Sequence, residues 1–169
     1  MMDHPKSSSN RPEDEARYLL NGFKTLLMST VSAEGVPDAS YSPFVRMEDD
    51  YFYVYVSGLS RHTSNLEATG VVSLLFVEDE RNANQLFARR RLSFDCRVKL
   101  ILRDSAKWKD VMENFSRKFR DVIDVIQPLG DFKLFCIAPK SGVYVRGFGQ
   151  AYRFTGATLE KFQHIDSVK

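Results

Sequence analysis

A chain of 169 residues has the length of one domain and can bury a core without disulfide bonds. Its formal net charge of only +2 lacks the basic excess of nucleic-acid-binding proteins. No apolar run reaches the ~20 residues that cross a bilayer, so we expect neither a nucleic-acid partner nor a membrane partner.

The start of the chain and the two cysteines predict a cytoplasmic location. Residues 1–17 are polar and lack the apolar core of a secretory signal. Cys96 and Cys136 lie far apart in apolar, strand-like stretches, which predicts two buried thiols in a reducing compartment. The sequence has no C-x-x-C motif or His/Cys pair at metal-ligand spacing, so a metal site made of protein ligands alone is not expected.

The N-terminal part of the chain is predicted to be a tail followed by one helix. Residues 1–12 combine Pro, Ser, Asn and charge, which is typical of a disordered tail. Residues 12–24 carry apolar side chains at helical spacing, with Glu13 and Asp14 in the first turn. The remainder, residues 13–169, shows no linker and no internal repeat, which predicts a single domain.

Strand-like stretches dominate the rest of the chain. Apolar, β-branched and aromatic runs predict strands at Thr25–Val31, 37–46, 51–56, Val71–Val77, 92–102, 132–138 and 142–152. The run Val71–Val77 is continuously apolar, which predicts a strand covered on both faces. Helical spacing and capping residues predict helices at 61–68, 105–119, Asp121–Ile126 and 158–164.

About six strands with short links predict an antiparallel sheet that curls to hide its edges. The expected fold is mostly β with flanking helices, in the α+β class. Its expected core is a six-stranded antiparallel split β-barrel. Thirteen Phe residues indicate a dense core or a pocket that takes a flat ligand.

The first candidate site is residues 57–67, where a strand gives way to a helix. Ser57, Ser60, Arg61 and His62 stand beside the free backbone N–H groups of a helix start, a combination that can cradle an anion. The alternative is a solvated turn with a capping serine, and the local pattern leaves both open. The glycine-rich phosphate motifs of nucleotide-binding folds are absent from the sequence.

Three consecutive arginines, Arg89, Arg90 and Arg91, precede the predicted strand at 92–102. In an extended chain, Arg90 points away from the other two. Either these residues form a charged strand edge that opposes aggregation, or at least one guanidinium binds a ligand carboxylate or phosphate through two hydrogen bonds.

A third candidate is the segment 146–152, in which Gly147 and Gly149 interrupt a predicted strand. Glycines inside a strand mark a bulge or the close approach of another group. A flat ring, a partner subunit or a barrel corner would each account for them.

Several motifs also carry a family likeness. They lie within residues 60–67, 72–73, 78–80, 85–92, 94–95, 103–108, 131–132 and 147–152. Together they resemble the bacterial haem-utilisation proteins, which belong to the pyridoxamine-phosphate-oxidase-like clan of FMN-binding split barrels. The likeness extends over about residues 25–164.

This resemblance implies a homodimer whose ligand pockets lie at the subunit interface. Flavin-binding members hold the FMN phosphate at the turn that matches Ser57, Ser60 and Arg61. Haem-binding members hold haem near the dimer cleft, and their axial histidine is supported by an aspartate that matches Asp131. The arginine that matches Arg91 lies close to the haem in those proteins.

The C-terminal segment departs from the family pattern. The family's axial histidine falls at Lys169, and the last histidine of this chain is His164. A lysine must lose a proton before it can bind iron, which argues against Lys169 as the ligand. Three alternatives stay open: His164 replaces the family's axial histidine through a local shift, haem is ligated in another way, or this chain does not use haem. His62 and Gln150, which lie in family motifs, complete the expected cofactor-binding residues.

The sequence is consistent with three functions. The resemblance favours a haem-binding protein for the use of haem iron, with or without a weak haem-degrading activity such as some members of that family have. The first alternative is an FMN-binding oxidoreductase of the same clan, in which the protein positions the flavin. The second alternative is a cofactor-binding or storage module without turnover.

Overall fold

The computed structural model describes residues 11–165, which form an antiparallel sheet with helices packed against it. The helices are α1 (Pro12–Asn21), α2 (Arg61–Thr69), α3 (Ala106–Phe119) and α4 (Asp121–Ile126). The strands are β1 (Thr25–Val31), β2 (Pro37–Pro43), β3 (Val45–Arg46), β4 (Phe52–Ser57), β5 (Val71–Val77), β6 (Arg91–Ile101), β7 (Phe132–Gly147), β8 (Gln150–Thr155) and β9 (Gln163–His164). Two 3-10 turns, Glu80–Asn82 and Leu86–Ala88, connect β5 to β6.

The strands follow the order β2-β1-β5-β6-β7-β4-β3, and β8 and β9 extend from β7. The pairing between β6 and β7 shifts register at Asp95 and Cys96, and such a bulge bends both strands. This bend lets β7 pair with β4 near its start and with β8 near its end. In the described residues β2 comes close to β4 without pairing to it, so the curled sheet is a split barrel rather than a closed one.

The alternation of side chains along the strands divides the apolar residues between two cores. The larger core fills the barrel, where the rings of Phe52, Phe76 and Phe94 lie with their centroids 5.2 to 6.0 Å apart. The smaller core lies on the other face of β4, where Tyr53 and Tyr55 pack against α3. Because β4 is buried on both faces, the turn that follows it has a rigid base.

The predicted fold class is confirmed: the chain is mostly β, with flanking helices and a split barrel. Residues 11–165 contain nine strands, more than the six expected for the barrel, and two of them, β3 and β9, have only two residues each. The predicted strand at 37–46 is divided at Phe44, which belongs to the barrel core.

The last third of the sheet differs most from the prediction. The segments 132–138 and 142–152, predicted as separate strands, share the continuous strand β7. The hairpin comes later, between β7 and β8, where Gly149 has a φ of 65°. Gly142 therefore marks no turn. It makes room for the ring of Phe154, which a side chain at this position would overlap.

The predicted helix at 158–164 is wrong. Leu159 and Lys161 have φ angles of 53° and 55°, which are incompatible with a right-handed helix. The Leu159 side chain is fully buried, and Arg17 donates a 2.9 Å hydrogen bond to its carbonyl oxygen. Tertiary contacts therefore fix this segment as a loop, which ends in β9.

The structure also corrects two predictions about burial, one for strand β5 and one for Cys136. Strand β5 alternates between buried and half-buried residues, because one of its faces lies outside the barrel of a single chain. Cys96 is buried, and burial raises the pKa of its thiol to about 12, whereas Cys136 is only half-buried.

Two predictions, the N-terminal tail and the single domain, stay predictions. The expected tail at 1–12 lies almost entirely outside the described residues, except that Pro12 already begins α1. The single domain at 13–169 stays a prediction. Within residues 11–165, no helix is both long enough and apolar enough to span a bilayer.

Candidate functional site

Asp131 holds the turn between β4 and α2 to the start of β7. The hydroxyl of Ser57 donates to Asp131 Oδ2 at 2.7 Å, and the backbone N–H of Gly58 donates to the Asp131 carbonyl oxygen at 2.8 Å. A Cβ atom at position 58 would lie 2.8 Å from that carbonyl oxygen, so this close approach requires glycine. Asp131 therefore joins two segments that are distant in the sequence.

The first turn of α2 adds further polar groups. Ser60 has the extended backbone of an N-cap residue, but its hydroxyl makes no capping hydrogen bond within the described part of the chain. Thr63 is fully buried and donates to the carbonyl oxygen of Ser57 at 2.6 Å. The Ser60 hydroxyl and the N–H groups of the first turn can therefore donate to a ligand.

Arg61 and His62 follow at the start of α2, beside Asp38. The Arg61 guanidinium lies 3.5 Å from an Asp38 carboxylate oxygen, while 72% of the Arg61 side chain is exposed. Burial lowers the pKa of His62, against the opposing effect of Asp38. His62 Nε2 is buried and has no hydrogen-bond partner among residues 11–165. One nitrogen of the neutral ring therefore has no hydrogen-bond partner within the described part of the chain.

Two carboxylates, those of Asp38 and Asp131, stand within this polar cluster. A bound phosphate would be repelled by both, and Ser57 would have to release Asp131 in order to donate to it. An imidazole N–H would instead be attracted by the Asp131 carboxylate. The two carboxylates therefore suit an imidazole N–H donor better than a phosphate, which is the ligand that one interpretation of the sequence predicts.

The eight predicted cofactor-binding residues form two groups within one chain. The first group surrounds the β4–α2 turn: Ser57, Ser60, Arg61, His62 and Asp131. The second group, Arg91, Gln150 and His164, lies where β6 begins and β7 ends. Arg91 pairs with Val145, whereas Asp131 directly precedes β7. At about 3.3 Å per residue, roughly 45 Å of bent strand lies between the two groups.

His164 lies in the short strand β9 at the edge of the sheet. Its Nε2 is 2.9 Å from the carbonyl oxygen of Gly149, and its ring meets the Tyr152 ring edge to face, with centroids 5.3 Å apart. The side chain is exposed, so the ring is accessible on the surface of a single chain. Lys169, the position that matches the family's axial histidine, lies outside the described residues.

Glu78 accepts hydrogen bonds from two of the three consecutive arginines, Arg89 and Arg90. Arg90 donates to the Glu78 carboxylate through Nε and through its backbone N–H, each at 2.8 Å. Arg89 donates to the Glu78 carbonyl oxygen through Nε at 3.0 Å. Glu78 is only 8% exposed, so these bonds keep a buried carboxylate paired. Arg91 donates to the Arg89 carbonyl oxygen at 3.3 Å. Of the three arginines, it is the one that remains a candidate for ligand binding.

Sequence reasoning missed Asp38 and Glu78. Asp38 lies on the edge strand β2, and its partner Arg61 begins α2, so no local pattern connects them. Glu78 could have been suspected, because one acidic residue directly follows the apolar strand β5 and an arginine run precedes β6. In the part of the chain that the structure describes, no three His, Cys, Asp or Glu side chains are grouped closely enough to hold a metal ion.

Residues 12–146 match the sequence family described as pyridoxamine 5'-phosphate oxidase. The chain belongs to the pyridoxamine 5'-phosphate oxidase family. The match includes the barrel strands β1 to β6, the β4–α2 turn and Asp131. It ends before the β7–β8 hairpin, so Gln150 and His164 lie beyond the part shared with the pyridoxamine 5'-phosphate oxidase family as a whole.

One relative, HutZ, is described as a haem protein both by its sequence and by its crystal structure. The chain is 42% identical to haem oxygenase HutZ of Vibrio cholerae over 156 residues, which cover 92% of this chain and 88% of that protein. A crystal structure of HutZ, described there as a haem storage protein, superposes with a TM-score of 0.73 at 37% identity, covering 86% of this chain and 95% of that chain.

A second solved structure is ChuZ of Campylobacter jejuni. It superposes with a TM-score of 0.81 at 27% identity, covering 95% of this chain and 65% of that chain. A pyridoxamine 5'-phosphate oxidase-like protein of Listeria innocua, at 16% identity and a TM-score of 0.58, shares the fold alone.

Proposed function

We propose that this protein binds haem for the use of haem iron, at a site formed between two copies of the chain. The likeness to HutZ over nearly the whole chain supports this proposal. The observation on which it rests is the Asp131 carboxylate, which Ser57 orients at the β4–α2 turn. Haem bound there would supply an iron that takes an axial ligand from an imidazole.

The chemistry of Asp131 fits an imidazole partner. A histidine that binds a metal usually donates its other ring N–H to a carboxylate or carbonyl oxygen, which fixes the orientation of the ring. Asp131 Oδ2 accepts from Ser57, and within residues 11–165 no donor occupies Oδ1. Asp131 can therefore accept one further hydrogen bond, and we propose that it comes from the axial histidine, which as His164 would give up its contact with the Gly149 carbonyl oxygen.

A second copy of the chain is needed because the two groups of candidate residues lie at opposite ends of β7. On the outer face of the barrel, Leu27 pairs with Tyr41 on one side and with Leu75 on the other. Tyr41 is 66% exposed and Leu27 is 45% exposed, so an apolar row crosses three strands. We propose that a second copy covers this row in a homodimer, and that it brings His164 and Arg91 of one chain to Asp131 of the other.

FMN is the alternative cofactor, and one feature favours it. Arg61 keeps most of its guanidinium exposed at the start of α2, where a phosphate could meet it together with the Ser60 hydroxyl. The two carboxylates oppose this reading. A storage role without turnover uses the same haem site, and one description of HutZ names such a role. We propose a cytoplasmic location for either function.

Parallel absorption titrations of the full chain with haemin and with FMN test the proposal. We expect a saturable Soret band with haemin and no saturable flavin spectrum. Asp131→Asn should weaken haem binding by about 10- to 100-fold, since it removes an outer-shell carboxylate. Asp110→Asn, on the exposed face of α3, is the matched control. Saturable FMN binding without haem binding would contradict the proposal.

A further inference from the structure

A cleft of about 320 Å³ lies away from the proposed haem site, between the end of α1, the strand β3 and the end of α3. Its lining residues are Leu20, Asn21, Phe23, Phe44, Val45, Arg46, Asn114, Arg117 and Lys118. None of them belongs to the two groups of candidate cofactor-binding residues. The volume is at the lower end of the range for small-molecule pockets.

Three cations and no carboxylate line this cleft. Lys118 donates to the carbonyl oxygen of Phe44 at 2.9 Å, and its Nζ lies 4.5 Å from the centroid of the Phe44 ring. Within residues 11–165 no carboxylate lies within 4.0 Å of Lys118 Nζ. Partial burial and the nearby charge of Lys24 both lower the pKa of Lys118. An anion in the cleft would remove this electrostatic cost.

The other two cations are only partly neutralised. Arg46 is paired with Asp50 at 2.7 Å, but its Nε is buried and has no hydrogen-bond partner in the described residues. Arg117 pairs with Glu113 at 3.1 Å, in an exposed pair that solvent screens. The side-chain amide of Asn114 stands beside them, so the polar wall offers several N–H donors and a positive charge.

The opposite wall is apolar and aromatic. Leu20 is buried, and Phe23 and Phe44 each meet Phe76 of the barrel core edge to face, with centroids 5.4 and 5.6 Å apart. Phe44 is only 3% exposed, so the half-buried ring of Phe23 is the rigid aromatic surface on which a planar group can stack at little entropic cost. A cationic wall facing an aromatic wall selects a ligand that is planar at one end and negatively charged at the other.

From this arrangement we infer a second ligand site that is independent of the haem site: the cleft binds a small aromatic anion, with its ring on Phe23 and its carboxylate or phosphate on Lys118, Arg46 and Arg117. The anionic head supplies the negative charge that the lining of the cleft lacks. A carboxylate and a phosphate share this chemistry, and the head group is distinguished by experiment.

Isothermal titration of the full chain with phenyl phosphate, benzoate and benzyl alcohol tests the inference. We expect saturable binding of at least one anion and none of benzyl alcohol, and the tighter anion identifies the head group. Arg117→Gln and Asn114→Asp, both at the rim and compatible with folding, should each weaken binding at least 10-fold. Lys109→Gln on the same helix and Arg61→Gln at the β4–α2 turn should leave it unchanged.

Three results would overturn the inference: no saturable binding of either anion, equal binding of benzyl alcohol, or anion binding that survives both rim substitutions. A loss of anion binding in Arg61→Gln would also overturn it, because the anion would then occupy the β4–α2 turn. Circular dichroism of each variant confirms that the fold is intact before binding is compared.

Discussion

Ser57 and Asp131 are 74 residues apart in the sequence and are joined by a hydrogen bond of 2.7 Å. This bond ties the end of β4 to the start of β7 at the point where α2 begins. It also holds the Asp131 carboxylate at the turn that leads to Ser60, Arg61 and His62. The proposed haem site depends on this link, and the first predictions concern the residues that maintain it.

Gly58→Ala should destabilise the fold by about 1–3 kcal/mol, because a methyl group at this position overlaps the Asp131 carbonyl oxygen and strains the hydrogen bond that Gly58 donates to it. Urea denaturation measures the change in the free energy of unfolding. Gly147→Ala is the matched control, since nothing lies within 4 Å of a Cβ there. Equal stability of the two variants would contradict the close approach at Gly58.

His62 should make the stability depend on pH. Burial lowers its pKa in the folded state below the usual value of 6.5, so the unfolded chain binds a proton first as the pH falls. The stability that the neutral ring contributes is present above pH 6.5 and is lost below it, toward the folded-state pKa.

We therefore expect His62→Gln to flatten the fall in unfolding free energy between about pH 6.5 and pH 5 relative to the natural chain. Urea denaturation across this range measures the slope. Above pH 8, where the ring is neutral in both states, the two proteins should respond to pH alike. An identical acid slope in both proteins would show that His62 is not buried in its neutral form.

Arg90→Gln should destabilise the protein by about 1–3 kcal/mol, since it removes the guanidinium that pairs with the buried Glu78 carboxylate. Arg97→Gln, at an exposed position of the same strand β6, is the control and should change stability by less than about 0.5 kcal/mol. Thermal unfolding of both variants provides the comparison. If Arg90→Gln is as stable as the control, the arginine run is a solvated strand edge.

The sequence predicted the elements that local patterns control. Strand Thr25–Val31 and helix Asp121–Ile126 have the predicted bounds, because alternation and helical spacing are properties of the chain itself. The loop at 158–164 could not be predicted this way. Leu159 adopts a left-handed conformation because its side chain is buried and its carbonyl oxygen bonds to Arg17, and both contacts are distant in the sequence.

In the candidate site, too, only residues that are close in the sequence could be predicted to lie together. Ser57, Ser60, Arg61 and His62 are neighbours in the chain, so the strand-to-helix turn could be recognised as a cluster. The family resemblance added Asp131, which the structure places beside Ser57. The pairing of Arg61 with Asp38 could not be predicted from the sequence, since it depends on how α2 packs against β2. That pairing adds the Asp38 carboxylate to the turn that one interpretation of the sequence predicts to bind a phosphate.

The proposed site between two copies can be tested most directly by complementation. Chains carrying Asp131→Asn and chains carrying His164→Ala are co-expressed with different affinity tags, and the heterodimer is purified and titrated with haemin. In a two-fold symmetric dimer, a site that takes Asp131 from one chain and His164 from the other is intact at one of the two positions.

We expect each homodimer of variants to bind haem weakly, and the heterodimer to regain a Soret band of about half the natural intensity with natural affinity. A heterodimer that binds haem as weakly as both parent variants would contradict it, because the two residues would then act within the same chain or not at all.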